Sequence, residues 1–376
     1  MSQDPDFVHA LPSMITNSEH WPKVEVESWR LARSLGDPEQ AVLFDQVRPE
    51  DVHQGFVGDC GLLAALSSLG RHPQKIKSLF DTQQLTEDGK YGVWLYDLQA
   101  KKWEKIIVDE YIPCCTVKGE VTPFSVRPTG EELWVMLLEK ALAKWCGRYM
   151  ALSFGDTMWY LAVLTGPKEM FRYIRKPGTQ SWKKVKPRAE SMKSRDCHDV
   201  KWRSASWGMT GQDSLYKKLR DAMADKHVVT CAISIQGQGM EAQLTQGLYN
   251  LHCYSMLRCF DEVLDNGKAI RFVQLRNPWG HGEWEGDWSD FGWGALSMGR
   301  LRSQRWQENP KLRDRLAVGL KDDGIFYMSF EDWANIYTWV DIVPVGGKPI
   351  PPDEDDEDGE DEPQSSGGFL SGWFGW

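Results

Sequence analysis

Several features that mark particular protein classes are missing from this sequence of 376 residues. It has no run of about 20 apolar residues, which a membrane-spanning helix requires. Residues 1–6 lack the basic and apolar regions of a secretory signal. The net charge of −10 argues against a nucleic-acid-binding surface. We therefore expect an intracellular, cytoplasmic protein with no transmembrane segment and no nucleic-acid partner.

Cysteine is also scarce, with 8 residues and no C-x-x-C or zinc-finger spacing. Only Cys114 and Cys115 are adjacent, and neighbours rarely pair because a disulfide needs Cα atoms about 5.5 Å apart. These features predict free thiols in a reducing compartment, most of them filling the core.

Acidic residues are abundant but unevenly placed. Residues 353–362 contain nine acids in ten positions, and without them the chain has 44 basic and 45 acidic residues. Such a block repels itself, so we predict that 346–376 is a disordered acidic tail acting as a spacer or solubiliser, with docking or metal binding as alternatives. Its aromatic end, 368–376, predicts docking to a partner or a membrane surface, unless it is an unselected terminus.

The length corresponds to about two domains. Segments 91–98 and 103–108 predict a β-hairpin, and 131–147 and 212–226 predict helices. The second half contains five further strand-like runs. The expected class is α+β, with these parts: an N-terminal extension (1–45), a helical lobe (46–166), a basic connector or surface insertion (167–211), a β-rich lobe (212–345) and the tail (346–376).

Cys60 lies at the predicted start of a buried helix, directly after Asp59, a suitable N-cap. The partial positive charge of a helix N-terminus stabilises a thiolate, which is the nucleophilic form of cysteine. The backbone N–H of Cys60 and the amide of Gln54 are candidates to contact an oxyanion. The alternative is a buried thiol that packs the helix start.

A cysteine nucleophile needs a base, usually histidine, and a group that orients it. His252 lies at the head of a predicted strand, and Asn277 stands before a proline at the end of another. The Asn277 side chain can accept a hydrogen bond from the imidazole, and Trp279 can cover that bond. A core histidine and a turn-forming Asn-Pro are the alternatives, but the ordered set Gln, Cys, His, Asn favours catalysis.

Taken together, these segments resemble the cysteine-protease core of the calpain family between about residues 45 and 345. The matching stretches are Gln54-Gly-x-x-Gly-Asp-Cys60-x-Leu-Leu-Ala-Ala, Leu133-Trp with Leu137-Leu-Glu-Lys-Ala141, His252-x-Tyr-Ser, Leu275-Arg-Asn-Pro-Trp-Gly280, Glu283-Trp-x-Gly-x-Trp-Ser-Asp290 and Asp323-Gly-x-Phe-x-Met-Ser-Phe330. The resemblance implies a papain-like fold of two lobes with the active site between them. Its catalytic roles fall on Cys60 as nucleophile, His252 as base, Asn277 as its orienting group, Gln54 in the oxyanion hole and Trp279 as a shield.

The resemblance also implies calcium, one ion in each lobe. The matching carboxylates are Asp51 and Glu132 in the first lobe, and Glu283, Asp290 and Asp323 in the second. Two positions depart from the family pattern. Ile325 replaces a ligating Glu, which predicts weaker calcium binding in the second lobe or lobe alignment by packing alone. Gly61 replaces a large residue, which predicts looser packing of the lobes or of the helix start. Surface carboxylates are the alternative for the acids.

The function implied is an intracellular cysteine endopeptidase that cleaves protein substrates through an acyl-enzyme, dependent on or assisted by calcium, with no organic cofactor. An inactive calpain-fold scaffold is the main alternative, because Gly61 and Ile325 depart from the pattern. A transferase on a papain-like fold is a third.

Overall fold

The computed structural model describes residues 24–290, 303–347 and 349, apart from positions 177, 194 and 320. The acidic run 353–362, the aromatic residues 368–376 and the first 23 residues of the predicted extension lie outside this range. In the described part of the chain, no helix combines the length and the apolar character needed to cross a membrane.

The described residues up to 166, called the helical lobe here, contain four α-helices around one apolar core. A three-stranded sheet in the order β1-β4-β5 and the hairpin β2-β3 lie in the same lobe. The helices are α1 (Cys60–Leu69), α2 (Pro73–Ser78), α3 (Trp134–Trp145) and α4 (Thr157–Thr165), and the strands are β1 (Ser28–Leu31), β2 (Lys90–Asp97), β3 (Lys102–Asp109), β4 (Tyr111–Val117) and β5 (Glu120–Pro123).

Helix α1 lies at the centre of the molecule because it has no charged face. All ten of its residues are buried, and so are all nine of α4. A helix that is apolar all round must be enclosed by other elements. Helix α1 packs against α4 on one side and against strands of the second lobe on the other. Its first residue, Cys60, is therefore held between the lobes.

The described residues from 167 onward, called the sheet lobe, form an antiparallel sheet of eight strands in the order β12-β11-β10-β9-β13-β6-β7-β8. Four helices accompany it. The strands are β6 (Phe171–Arg175), β7 (Trp182–Pro187), β8 (Trp202–Thr210), β9 (Val228–Ile233), β10 (His252–Val263), β11 (Ala269–Arg276), β12 (Ile325–Ser329) and β13 (Trp339–Val343), and the helices are α5 (Gln212–Ala224), α6 (Gln304–Glu308), α7 (Pro310–Arg315) and α8 (Phe330–Ile336).

Segment 167–211 differs from its prediction as a connector or surface insertion. It supplies β6, β7 and β8, and β6 pairs with β13 along four residues. These strands bury only some positions, such as Trp182 and Val185, while Lys183 is exposed. A strand with one solvated face carries few aliphatic residues, so its composition resembles that of a loop and does not predict a strand. The segment is part of the large sheet.

The predicted α+β class is confirmed, as are the hairpin of β2 and β3 and the helices α3 and α5 within a few residues. The eight cysteines are free thiols, seven of them buried. Helix α4 and the three-stranded sheet were not predicted.

Contacts between the lobes bring Cys60 opposite His252. The Ser255 hydroxyl donates to the Ala64 carbonyl (2.8 Å) and the Ser68 hydroxyl to the Val229 carbonyl (3.0 Å), which fixes α1 along β9 and β10. Arg172 of β6 forms ion pairs with Asp156 at the start of α4 and with Asp341 of β13. The lobes are thus joined by buried polar contacts as well as by apolar packing.

Candidate active site

Cys60 begins α1 and is almost fully buried in a small cluster with Ala64, Ala232 and Cys253. A hydrogen bond with the Cys253 thiol, and then burial, raises the pKa of the Cys60 thiol well above its usual value. Asp59 occupies the predicted N-cap position, but its side chain makes no capping hydrogen bond. In this arrangement the surroundings of the predicted nucleophile favour its protonated form.

His252 and Asn277 form the hydrogen bond predicted from the sequence. The Nε2 of His252 lies 2.8 Å from the Oδ1 of Asn277, and both side chains are fully buried. The Asn277 amide is oriented by its own contacts, since Nδ2 donates to the Gly282 carbonyl (2.9 Å). Oδ1 is therefore an acceptor, which assigns the donor role to Nε2 and leaves Nδ1 on the side of the ring that faces Glu241.

Trp279 lies over this pair. Its ring centroid is 4.3 Å from that of His252, and its backbone N–H donates to the Oδ1 of Asn277 (3.0 Å). Tyr249 packs against the same indole, with centroids 4.4 Å apart, and its ring centroid is 6.1 Å from that of His252. The aromatic cover excludes water from the His–Asn hydrogen bond, and a drier environment strengthens such a bond.

Gln54 is buried, and neither its Nε2 nor its Oε1 has a hydrogen-bond partner among the described residues. An unpaired buried amide costs free energy, so its retention calls for a ligand. Its backbone N–H donates to the carbonyl of Pro278 (2.9 Å), which connects it to the loop after Asn277 in the other lobe. This is the state expected of an oxyanion-hole donor that awaits its acceptor.

Glu241 is a member of the site that the sequence analysis missed. Its carboxylate Oε1 lies 3.6 Å from the Nδ1 of His252, and its side chain is buried. The sequence gives no signal for its role beyond a nearby pair of glycines, Gly237 and Gly239, because a single acid in a loop follows no periodicity. Its position depends on how that loop folds back over β10.

Comparison with known proteins supplies the family. The model of the calpain family cysteine proteases matches residues 2–344. The chain belongs to this family. It is 28% identical to the calpain-2 catalytic subunit of Mus musculus over 346 residues, 90% of this chain and 42% of that protein. It is 29% identical to the calpain-1 catalytic subunit of Bos taurus over 317 residues, 84% of this chain and 37% of that protein. The chain thus spans about two fifths of the length of these relatives.

Membership of the calpain family confirms the recognition made from the motifs, and with it the α+β papain-like fold. The family acts on proteins, so protein substrates are the partners it implies. The roles of individual residues and the calcium sites stay predictions.

The first predicted calcium site of this calpain-family chain brings two acids together. Asp51 and Glu132 are both buried. Burial, and then the charge of Asp51, raises the pKa of Glu132 to about 8. Arg48 donates its backbone N–H to Asp51 (2.6 Å), and the Trp134 indole donates to Glu132 (3.1 Å). Adjacent carboxylates with raised pKa values are a donor set that fits a hard cation.

The second site is assembled less completely. Burial, and then the charge of Asp290, raises the pKa of Glu283 to about 10. Glu283 accepts the backbone N–H groups of Asp323 (3.0 Å) and Gly324 (2.9 Å), while its Oε2 is buried with no hydrogen-bond partner in the described residues. The Asp323 carboxylate instead accepts the N–H of Ile325 (3.1 Å). Glu283 and Asp290 fit a cation, and Ile325 supplies no side-chain ligand.

Gly61 is tightly packed, unlike the looser helix start predicted for it. A Cβ at this position would lie 2.6 Å from the Gly155 carbonyl oxygen and 3.3 Å from the Thr157 hydroxyl. The backbone before α4 therefore fills the space that a side chain at position 61 would occupy. Glycine is required here by this close approach.

Proposed function

We propose that the chain is a cysteine endopeptidase of the calpain type, acting on protein substrates and assisted by calcium. The observation that carries the proposal is the His252–Asn277 hydrogen bond of 2.8 Å, with the Nδ1 of the same ring directed at the cluster that contains Cys60. The ligand atoms of Cys60, His252 and Glu241 all lie within 4.8 Å of one another. Nucleophile, base and orienting group are thus adjacent in the order that acyl transfer requires.

In the first step, Nδ1 of His252 takes the proton of the Cys60 thiol, and the sulfur attacks the substrate carbonyl carbon. Asn277 keeps the ring in the tautomer that can accept this proton, and it stabilises the imidazolium that forms. The carbonyl oxygen gains negative charge, which the backbone N–H of Cys60 and the Gln54 amide stabilise; one such donor is typically worth about 10²–10³ in rate.

The imidazolium then gives its proton to the leaving amine, and the C–N bond breaks to leave an acyl-enzyme on Cys60. Water, deprotonated by Nδ1 of His252, attacks the same carbonyl carbon and releases the carboxylic acid and the thiol. General acid–base catalysis of this kind contributes about 10²–10⁴.

Calcium would be held by Asp51 and Glu132 in the helical lobe and by Glu283 and Asp290 in the sheet lobe. Bound calcium supplies positive charge that neutralises these buried acids. Because Ile325 provides no side-chain oxygen, we propose that the second site is the weaker. Calorimetric titration with CaCl₂ tests this, since two equally tight sites would contradict it.

Alkylation of Cys60 tests the enzymatic proposal. We expect a peptidyl reagent directed at active-site thiols to label Cys60 faster in the presence of calcium, and Cys60→Ala to lose at least about 10³-fold in peptidase activity. Cys259→Ala, which removes a buried thiol elsewhere on β10, is the control and should retain both properties. Absence of labelling with and without calcium would contradict the proposal.

A scaffold function is the second candidate, and one observation favours it. The Cys60 thiol lies in one buried cluster with Cys253, and its pKa is raised, so its surroundings favour the protonated, less reactive form. If Cys60→Ala retains every cellular property of the wild-type protein and no peptide bond is cleaved, the chain acts as a binding module on a calpain fold.

A further inference from the structure

The buried group formed by Cys60, His252 and Glu241 has a property that peptide hydrolysis does not use. A thiol sulfur, an imidazole nitrogen and a carboxylate oxygen lie within 4.8 Å of one another, and all three residues are buried. The proposed mechanism needs only the first two. The carboxylate of Glu241 lies on the face of His252 that receives the proton, so its presence there calls for a separate explanation.

The loop that carries Glu241 is held in place by Asn250. The Asn250 side chain accepts the backbone N–H of Ile235 (2.7 Å) and donates to the Gly239 carbonyl (2.9 Å). The N–H of Glu241 donates to the Asn250 carbonyl (2.8 Å), and Glu241 itself adopts a left-handed conformation with φ of 51°. Both ends of the loop are thereby fixed, and the carboxylate is directed at the site before any ligand arrives.

The imidazole is already oriented as a metal ion needs. Nε2 donates to Asn277, so Nδ1 is the nitrogen on the side of Glu241, where it is buried with no hydrogen-bond partner among the described residues. Histidine ligands in metal sites are oriented in this way, by a hydrogen bond from the nitrogen that does not bind the metal. Asn277 would orient His252 for metal binding without any change in its position.

We propose that Cys60, His252 and Glu241 form an inhibitory zinc site. In a tetrahedral zinc complex, nitrogen and oxygen ligands at about 2.0–2.2 Å from the metal lie about 3.4 Å apart. The observed separation of Nδ1 and Oε1 is 3.6 Å, so the pair is nearly in place. A thiolate and a carboxylate together cancel the charge of Zn²⁺, which removes most of the cost of burying the ion.

The ligand set selects zinc over calcium. Calcium takes six to eight oxygen ligands, whereas zinc accepts sulfur, nitrogen and oxygen in a four-coordinate arrangement. A cavity of about 270 Å³ borders Cys60, Met240 and Leu251, so a water molecule that would supply the fourth ligand can approach from the side of Cys60. On binding, the Cys60 S–H proton is released to solvent and the sulfur bonds to the metal, so nucleophile and base are both occupied.

Zinc binding can be measured without any substrate. We expect ZnCl₂ in a non-chelating buffer to bind the full chain at one site with release of a proton, and Co²⁺ to give the near-ultraviolet absorption of a thiolate–cobalt bond. Glu241→Gln should weaken zinc binding at least about 10-fold, and Cys60→Ala should abolish the cobalt signal. Glu120→Gln, an exposed acid on β5, is the matched control and should bind as the wild type does.

The inhibitory consequence rests on the proposed peptidase function, whereas the zinc site does not. Zinc should block alkylation of Cys60, and a chelator should restore it, whether or not the chain cleaves peptides. Equal zinc affinity in Glu241→Gln and Glu120→Gln, with both variants folded by circular dichroism, would overturn the proposal. So would loss of zinc binding in Cys253→Ala, because that result would place the sulfur ligand elsewhere.

Discussion

His252 and Cys60 face each other across the junction of the lobes, but their surroundings differ. Around His252, the Asn277 amide, the Trp279 ring and the Gly282 carbonyl hold one tautomer and one ring orientation. Around Cys60, the Cys253 thiol and the Glu241 carboxylate both favour the protonated sulfur. The predicted base already has its orienting hydrogen bond, and the surroundings of the predicted nucleophile favour its protonated form.

The difference separates two tasks within one site. Orienting a base requires fixed hydrogen bonds, and these are complete without substrate. Generating a free thiolate requires that the Cys60 sulfur move away from Cys253 and that the negative charge of Glu241 move away from the sulfur. We infer that activation of this site consists of changes around Cys60, while the sheet lobe keeps its geometry.

Asn277→Ala tests the surroundings of His252 and should have the largest effect. Without the amide the imidazole can rotate and change tautomer, and misplacement of a catalytic group by about 1 Å can cost about 10²-fold in rate. We expect a loss of this size in the rate of peptide hydrolysis, measured as kcat/KM, and a changed pH profile for alkylation of Cys60.

The control for that variant is Asn266→Ala, which removes an exposed asparagine that accepts the N–H of Lys268 (3.0 Å) in the turn between β10 and β11. It should leave the pH profile of alkylation unchanged. If Asn277→Ala does the same, the His252–Asn277 hydrogen bond does not orient the base.

The sequence predicted the contacts around His252 and missed most of the contacts around Cys60. Asn277 and Trp279 are two residues apart, and the amide accepts the N–H of Trp279, so a short motif carries their arrangement. Glu241 and Cys253 reach Cys60 only through the return of a loop and the packing of β10 on α1. Contacts of this kind depend on tertiary structure, and no local spacing reports them.

For the fold as well, local sequence patterns predict some elements and miss others. Helix α3 was predictable because its apolar residues recur with helical spacing, and the hairpin of β2 and β3 because its strands are close in sequence. Segment 167–211 was not, since strands with one solvated face, rich in lysine and arginine, have the composition of a loop. The sequence predicts looser packing at Gly61, because the Gly155 carbonyl that approaches it closely lies about a hundred residues away along the chain.

Cys253→Ala tests the surroundings of Cys60 and should have a smaller effect. Its thiol raises the pKa of Cys60 through a hydrogen bond, so its removal should lower that pKa and increase the thiolate fraction at neutral pH. We expect the pH midpoint of Cys60 alkylation to fall and the rate at pH 7 to rise several-fold. Cys259→Ala, in the same strand, serves as control. A midpoint that does not move would show that Cys253 does not set the state of the nucleophile.

Glu139→Gln tests the buried carboxyl groups of Glu139 and Asp59, the residue directly before Cys60, and should have the smallest effect. Burial, and then the charge of Asp59, raises the pKa of Glu139; burial raises that of Asp59 to about 6. A carboxyl whose pKa is higher in the folded protein stabilises the fold fully below its unfolded value, about 4.3, and loses that contribution as pH rises toward the folded value. The glutamine side chain of the variant cannot ionise, so the variant does not lose this stability as the pH rises.

We therefore expect Glu139→Gln to melt a few degrees above the wild type at pH 8 and close to it at pH 4, by differential scanning calorimetry. The glutamine oxygen can still accept the N–H of Val126, which Glu139 accepts at 3.0 Å. Glu87→Gln, an exposed acid, should melt as the wild type does at both pH values. Equal destabilisation of Glu139→Gln at pH 4 and pH 8 would mean that only a hydrogen bond was lost, and that no neutral carboxyl supports the residue before Cys60.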